Sequence, residues 1–473
     1  PDLLFEIGTE EIPAGYIAPA LDQLAGLFKE TLAGQRLICN DLEVTGTPRR
    51  LALWAGQIPE HQEAARQEVI GPPGRIAFDE DGNPTKAALG FAKKAGVAPE
   101  DLQLKNTERG EYVCAVKEIP GRPAIEVLSD ILATCLDRLV FQKSMYWHGR
   151  GPTFARPVRS LLTIFGDEVV PLQFAGVTAG RQTHGHRFLG PGPVTLETPD
   201  FENYGETLLE RHVMVDLEAR RMQVRGQVEE ILSAHEATLQ PDDEELIDEV
   251  TNLVEWPHAV EGRFDETFLD VPADVIVEAR RTHQRYFPVR TQTGELRPAF
   301  VTISNRTAEQ DPVVREGNER VLRARLEDAR FFWDEEKDAD LGRLVDRLKD
   351  VLFLGGLGSN YDRALRLQTE SERITQTMAL APETVQTARE AGKLAKADLV
   401  TGLVGEFPGL QGVVGREIAL HQGLSAALAE ALAEHYRPRF AGDGLPETDI
   451  GIAVSLADKL DVIVGCFSLD LIP

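Results

Sequence analysis

The chain has 473 residues, 42% of them hydrophobic and 27% charged, with 77 acidic and 50 basic side chains and a formal net charge of −27. That length is too great for one ordinary domain and suggests two to four, and the profile is that of a soluble globular protein. The acidic field opposes nonspecific binding to nucleic acid, so any RNA contact is expected from local basic patches.

No window approaches the roughly 18 unbroken apolar residues of a membrane-spanning helix, and no membrane association is expected. The opening Pro1-Asp2-Leu3-Leu4-Phe5-Glu6 lacks a basic stretch, and Glu6, Glu10 and Glu11 interrupt any signal-peptide core. Cys39, Cys114, Cys135 and Cys466 form no CxxC pair, which predicts reduced, mostly buried thiols and a cytoplasmic location without structural zinc.

In chain order, Leu3–Gly8 alternates around Phe5, Glu6 and Ile7 as a strand does. After the Glu10-Glu11-Ile12-Pro13 corner, Leu21, Leu24, Phe28 and Leu32 recur at helical spacing. Thr47–Trp54 reads as a turn entering a strand. Residues 66–118 read as a small inserted subdomain: Gly71-Pro72-Pro73-Gly74 breaks the chain, Asp81-Gly82-Asn83-Pro84 signals a turn, Thr85 is placed to cap a helix through Lys94, and Tyr112–Val116 is a strand. From 119 to 315 short strands and helices alternate without a regular βαβ beat, so α+β is the expected class. Val213–Leu232 reads as a long charged helix and Ala299–Ile303 as a strand. Near Gly317 the strand signals nearly vanish. Leu341, Leu344, Val345, Leu348 and Leu352 predict one amphipathic helix, and Leu424, Ala427, Leu428, Ala431 and Leu432 another. A domain boundary is expected around 315–340, giving segments 1–65, 66–118, 119–315 and 316–473.

Several blocks together carry a resemblance. Leu4-Phe5-Glu6-Ile7-Gly8-Thr9-Glu10-Glu11-Ile12-Pro13-Ala14, Thr47-Pro48-Arg49-Arg50-Leu51, Phe154-Ala155-Arg156-Pro157-Val158-Arg159, His184-Gly185-His186-Arg187-Phe188-Leu189 and Leu253-Val254-Glu255-Trp256-Pro257 are similar, in order, to the β subunit of heterotetrameric glycyl-tRNA synthetase. So are Gln284-Arg285-Tyr286-Phe287-Pro288-Val289, Gly317-Asn318-Glu319-Arg320-Val321-Leu322, Glu406-Phe407-Pro408-Gly409-Leu410-Gln411-Gly412 and Ala457-Asp458-Lys459-Leu460-Asp461. Any one block is weak; their ordered co-occurrence is specific. The resemblance implies a B3/4-like α+β N-terminal region followed by an all-α HD-like helical domain. It implies that ATP, its magnesium and glycine sit on a separate α subunit, that the partners are this α subunit and tRNA(Gly) in an α2β2 assembly with or without β–β contact, and that this chain holds the tRNA. It also implies that the family subunit continues into a C-terminal anticodon-binding domain, so a chain ending at Pro473 is expected to be truncated.

No catalytic residue and no cofactor is assigned to this chain, because no Gly-rich phosphate loop or paired arginine and carboxylate set for ATP–magnesium is visible. HD-type phosphohydrolases bind metal through a His, a His-Asp doublet and a later Asp. Here the resemblance places the doublet at Lys396-Ala397-Asp398 and the later aspartate at Asp458, which implies a retained scaffold without metal. The alternatives are an active metal-dependent phosphohydrolase and a purely structural assembly subunit.

For tRNA, the first candidate cluster is Arg280, Arg281, Gln284, Arg285 and Tyr286, with Arg281 and Arg285 on one helical face and Tyr286 free to stack on a base. Its alternative is a solvated helix face with Tyr286 and Phe287 in the core. The second cluster is Lys143, Tyr146, Trp147 and Arg150, followed by Arg156 and Arg159. Arg49 and Arg50 either meet RNA or pair with nearby carboxylates. His184 and His186 would share a face of a strand, compatible with metal but lacking a third ligand, so hydrogen-bonded structural histidines are expected. Glu10 and Glu11 are expected to orient backbone donors.

Overall fold

The computed structural model describes residues 1–79, 83–107, 110–147, 149 and 151–472, with the side chains of 281–283 outside the description. Residues 1–223 with 248–257 form one compact unit, and 224–247 with 258–473 a second.

The first unit is built on strand β1 (Leu3–Thr9), buried along its whole length. With β2 (Asp41–Thr47), β3 (Arg50–Gly56), β4 (Val158–Phe165) and β5 (Glu168–Val169) it forms an antiparallel sheet of order β5-β4-β1-β3-β2. Side chains alternate across a strand. Leu3, Phe5 and Ile7 therefore meet the core formed with the helices Ala14–Gly34 and Ala124–Arg138, through Leu24, Phe28, Val127 and Ile131. Leu4 lies on the opposite face with Ala52, Leu162, Tyr204, Val213 and Val215. Glu6 shares that second face by register, so its carboxylate is buried.

β2 carries little sequence signal, because its outer half is exposed and holds Asp41 and Glu43, a pattern suited to a sheet edge. Between β3 and the helix Ala124–Arg138, the strands Ala65–Pro73, Gln103–Thr107 and Gly110–Ile119 form a separate antiparallel sheet. The helix Lys86–Ala95 packs with it, and the Thr85 hydroxyl caps that helix by accepting from the Ala87 amide at 3.3 Å. The charged helix expected from Val213 starts only at Leu217. Asp216 caps it through the Ala219 amide at 3.0 Å, while Val213 and Val215 are held in the core.

In the second unit the strands His258–Arg263, Leu296–Ser304 and Phe287–Arg290 form an antiparallel sheet with Leu296–Ser304 central. The helix Ala273–Gln284 precedes Phe287–Arg290 in sequence. After Ser304 the chain is almost wholly helical, and one apolar core runs from Phe268 to Ala457. The segment 315–340, where the sequence suggests a boundary, lies largely inside the continuous helix Asp311–Glu336, whose Leu322, Leu326, Ala329 and Trp333 are buried in that core. The helix expected over Leu341–Leu352 stops at Arg347 and tightens into a 3₁₀ turn at Leu348–Asp350. Leu352 then enters a two-stranded ribbon and is exposed.

Candidate functional site

A carboxylate on an internal strand face must be hydrogen-bonded or paired. Glu6 accepts from the Tyr204 hydroxyl at 2.6 Å and from the Thr183 hydroxyl at 2.8 Å, and lies 3.5 Å from Nη1 of Arg50. Arg50 stands opposite Gly8 in the β1–β3 register, on the same sheet face as Glu6. Its guanidinium also donates to Glu255 at 3.2 Å, to the Thr183 hydroxyl at 3.1 Å and to the His184 carbonyl at 2.8 Å. Thr47 donates to the same Glu255 oxygen at 2.6 Å. Burial alone would weaken the hold of Arg50 on its proton, but Glu255 and Glu6 outweigh it and raise its pKa. Burial, and then the charge of Glu6, push the Tyr204 hydroxyl well above its ordinary range. Arg50 is only 3% exposed, so it is corrected from a candidate tRNA contact to the centre of an internal ion cluster.

Beside this cluster β1 shifts register between Gly8 and Thr9, an irregularity of the kind that re-aims side chains at the end of a strand. A cavity of about 490 Å³ lies there, lined by Thr9, Glu10, Arg49, Arg159, His184 and Arg187 among others. Arg49 comes from the β2–β3 turn, Arg159 from β4 and Arg187 from the loop after the short strand Gln182–His184. Glu11 accepts from Arg49 at 3.0 Å and from Arg187 at 3.1 Å. Partial burial raises its pKa, but its own backbone amide, Arg49 and Arg187 bring it below the ordinary carboxylate range. Glu10 lies 3.6 Å from Arg49, 3.4 Å from Arg159 and 3.6 Å from Arg187. Both glutamates, expected to orient backbone donors, face arginine side chains, and Glu11 also accepts from its own backbone amide.

The Arg187 loop depends on a close backbone approach. A Cβ on Gly185 would stand 2.1 Å from the Gly190 carbonyl oxygen and 2.8 Å from Cβ of Arg211, with no flexible group to yield. Gly185→Ala is therefore expected to destabilise the first unit by about 1–3 kcal/mol, measured as a lower urea midpoint with an unchanged slope.

His184 ends its strand and is exposed, whereas His186 lies beyond it and is buried, so the two do not share a strand face. Nδ1 of His186 accepts from the Phe188 and Leu189 amides at 3.2 and 3.1 Å, a structural arrangement.

The second sequence cluster divides. Arg159 belongs to the cavity. Lys143, Met145 and Tyr146 are exposed on and beside the hairpin Met145–Tyr146/Thr153–Phe154, where Tyr146 is 64% exposed. Trp147 is held there by its indole N–H donating to the Phe154 carbonyl at 2.8 Å. Arg156 is half-buried and donates to the Ala155 carbonyl at 3.0 Å. Arg150 lies outside the described residues.

The first sequence cluster is corrected in the second unit. Arg280 is fully buried and donates to the Ile276 and Ala299 carbonyls, both at 3.1 Å, and burial followed by the nearby Arg290 lowers its pKa to about 9. Tyr286 stacks on Phe300 at 4.5 Å, donates to Asn318 at 2.6 Å and is 1% exposed, so it offers no face to a base. Phe287 is equally buried. The helix ends at Gln284, which is half-buried, and Arg285 follows with a positive φ of 54°, so helical spacing does not continue to Arg285. The side chain of Arg281 lies outside the described residues.

Asp398 is buried, and its Oδ2 accepts from the Gly412 and Gly415 amides at 2.6 and 3.2 Å. Burial, partly offset by those amides, raises its pKa to about 6. Asp458 pairs with Arg363 at 2.9 Å and with Lys396 at 3.2 Å. The buried Lys396 ammonium is also 2.8 Å from Nε2 of His435 and sits over the Tyr436 ring. The two aspartates thus face amides and cations of the chain itself.

The model of the glycyl-tRNA synthetase beta subunit family matches residues 3–473. The chain is 45% identical over 472 residues to a glycine–tRNA ligase beta subunit of Moorella thermoacetica, covering 100% of this chain and 68% of that protein. The corresponding proteins of Desulforamulus reducens and Geotalea uraniireducens are each 43% identical, with the same coverage. The chain belongs to the glycyl-tRNA synthetase β-subunit family.

The first five sequence blocks that resemble this family converge on one place. Glu6, Thr47, Arg50 and Glu255 belong to the internal ion cluster, while Glu10, Arg49, Arg159 and Arg187 line the adjoining cavity. The blocks containing Glu6, Glu255 and Arg187 are visible in the sequence, but the roles of those three residues are not. An acidic residue inside the apolar run Leu3–Ile7 is the available signal for Glu6. Tyr204 and Thr183 give none.

Proposed function

We propose that this chain is the tRNA-binding and assembly subunit of a glycine–tRNA ligase. It supports the ATP-dependent attachment of glycine to tRNA(Gly), while ATP, magnesium and the chemistry lie on a separate α subunit, in an α2β2 assembly of the cytoplasm. Family membership supplies the reaction. The observation that carries the tRNA role is the cavity at which Arg49, Arg159 and Arg187 meet, a local concentration of guanidinium groups in a chain of net charge −27. Arginine forks suit phosphate oxygens. The exposed Lys143 and Tyr146 supply a second basic and aromatic surface for an unpaired base. In the same reading residues 119–315 are a B3/4-like region, and residues 316–473 are an HD-like scaffold whose Asp398 and Asp458 no longer serve a metal.

The test is tRNA(Gly) binding as a function of salt, with and without α subunit. Arg159→Ala combined with Arg187→Ala is expected to weaken binding and to reduce the slope of log affinity against log salt by about 0.7–0.9 for each arginine–phosphate pairing removed. An unchanged slope with a lowered Tm would make these arginines structural and favour a purely assembling subunit.

A further inference from the structure

Three guanidinium groups from three separate elements surround one carboxylate, and none is close enough to bond it well. Charge-assisted N–H···O bonds run to about 2.7–2.9 Å, whereas the three Glu10 distances are 3.4–3.6 Å. Glu11 differs: at 3.0 and 3.1 Å it bridges Arg49 and Arg187 and fixes their positions. Glu11 thus holds two of the three arginines, and all three stand wide of the flat carboxylate of Glu10. A cavity of about 490 Å³ holds a tetrahedral anion with an attached sugar.

We propose that this cavity is a phosphate site, that Glu10 is its resident stand-in, and that the ligand is a terminal phosphomonoester, supplied by the 5′ end of the tRNA. A monoester carries about −1.5 to −2 charges at neutral pH and three acceptor oxygens, which matches three converging arginine forks. An internal phosphodiester has a single charge, two free oxygens and chain leaving on both sides, and suits arginines strung along an open groove. Loose pairing lets Glu10 leave at small cost when the larger and more highly charged group arrives, while Glu11 keeps Arg49 and Arg187 in place. This inference rests on the tRNA-handling reading above.

The experiment compares tRNA(Gly) bearing a 5′-monophosphate with the same RNA ending in a 5′-hydroxyl, each titrated against the full chain. Inorganic phosphate and a 5′-mononucleotide serve as competitors. About tenfold tighter binding of the phosphorylated RNA is expected, the size of one charge-assisted hydrogen bond. Arg159→Ala with Arg187→Ala should abolish that preference. Glu10→Gln should enlarge it without lowering Tm. Equal affinity for the two RNA ends overturns the inference even if the arginine variant fails to fold. If both RNAs bind equally and lose affinity equally in the arginine variant, the tRNA role stands and this assignment falls. If neither RNA binds, the tRNA reading falls with it. Competition and thermal protection by free phosphate or mononucleotide, with no preference between RNA ends, would overturn the RNA source and make the ligand a free phosphate compound.

Discussion

Arg50→Met is expected to destabilise the first unit by about 3–5 kcal/mol, the cost of breaking a buried ion cluster by removing one partner. Glu6 and Glu255 are each 1% exposed, and both face the Arg50 guanidinium. Methionine has comparable volume, so the loss reports charge and hydrogen bonds rather than a cavity. Thr183, Tyr204 and Thr47 still donate to the carboxylates and the buried Arg220 still acts on Glu255 through its charge, but both carboxylates lose the guanidinium they share. Adding Glu6→Gln and Glu255→Gln should recover a large part of the deficit, because an amide with no charge needs no counterion. Residues of one network are non-additive in this way. Urea unfolding read on the first unit checks both variants. A single variant within about 0.5 kcal/mol of the parent, the range of ordinary surface changes, would show that the cluster does not hold the sheet.

The same cluster shows what sequence makes legible. Strand β1 and the turn at Pro48-Arg49 are readable because period-2 alternation and a proline turn are local signals. The destination of Glu6 is not, since its partners Thr183 and Tyr204 are 177 and 198 residues away in the chain. Arg280 illustrates the opposite failure. Arginine density near Tyr286 resembles a phosphate-binding face, yet burial turns Arg280 toward backbone carbonyls and Tyr286 toward Phe300. Helical spacing extrapolated through Arg285 fails because the backbone leaves the helix there with positive φ. Charge patterning identifies which residues are cations, but not which side of a surface they finish on. The ordered blocks carry more, because five of them, drawn from residues 4–257, assemble one cluster and one cavity, although no single block announces either.

In a preparation free of α subunit, ATP–pyrophosphate exchange dependent on glycine is expected to stay at background at any concentration of this chain. Adenylate formation needs arginines that brace a triphosphate together with carboxylates free to hold magnesium beside it. At the cavity the carboxylates Glu10 and Glu11 are set against Arg49, Arg159 and Arg187, and in the helical part Asp398 and Asp458 are engaged by amides and by Arg363 and Lys396. Adding α subunit should raise exchange by orders of magnitude. In that reconstituted complex, Arg159→Ala with Arg187→Ala should leave exchange intact, because these residues are assigned to tRNA and not to ATP. Charging of tRNA(Gly) should then fail chiefly through a raised KM for tRNA, recovering as tRNA is made saturating. A fall in exchange itself would place the arginines in the activation step or its interface. Exchange that grows with this chain alone would put the chemistry here and overturn the division of labour between subunits.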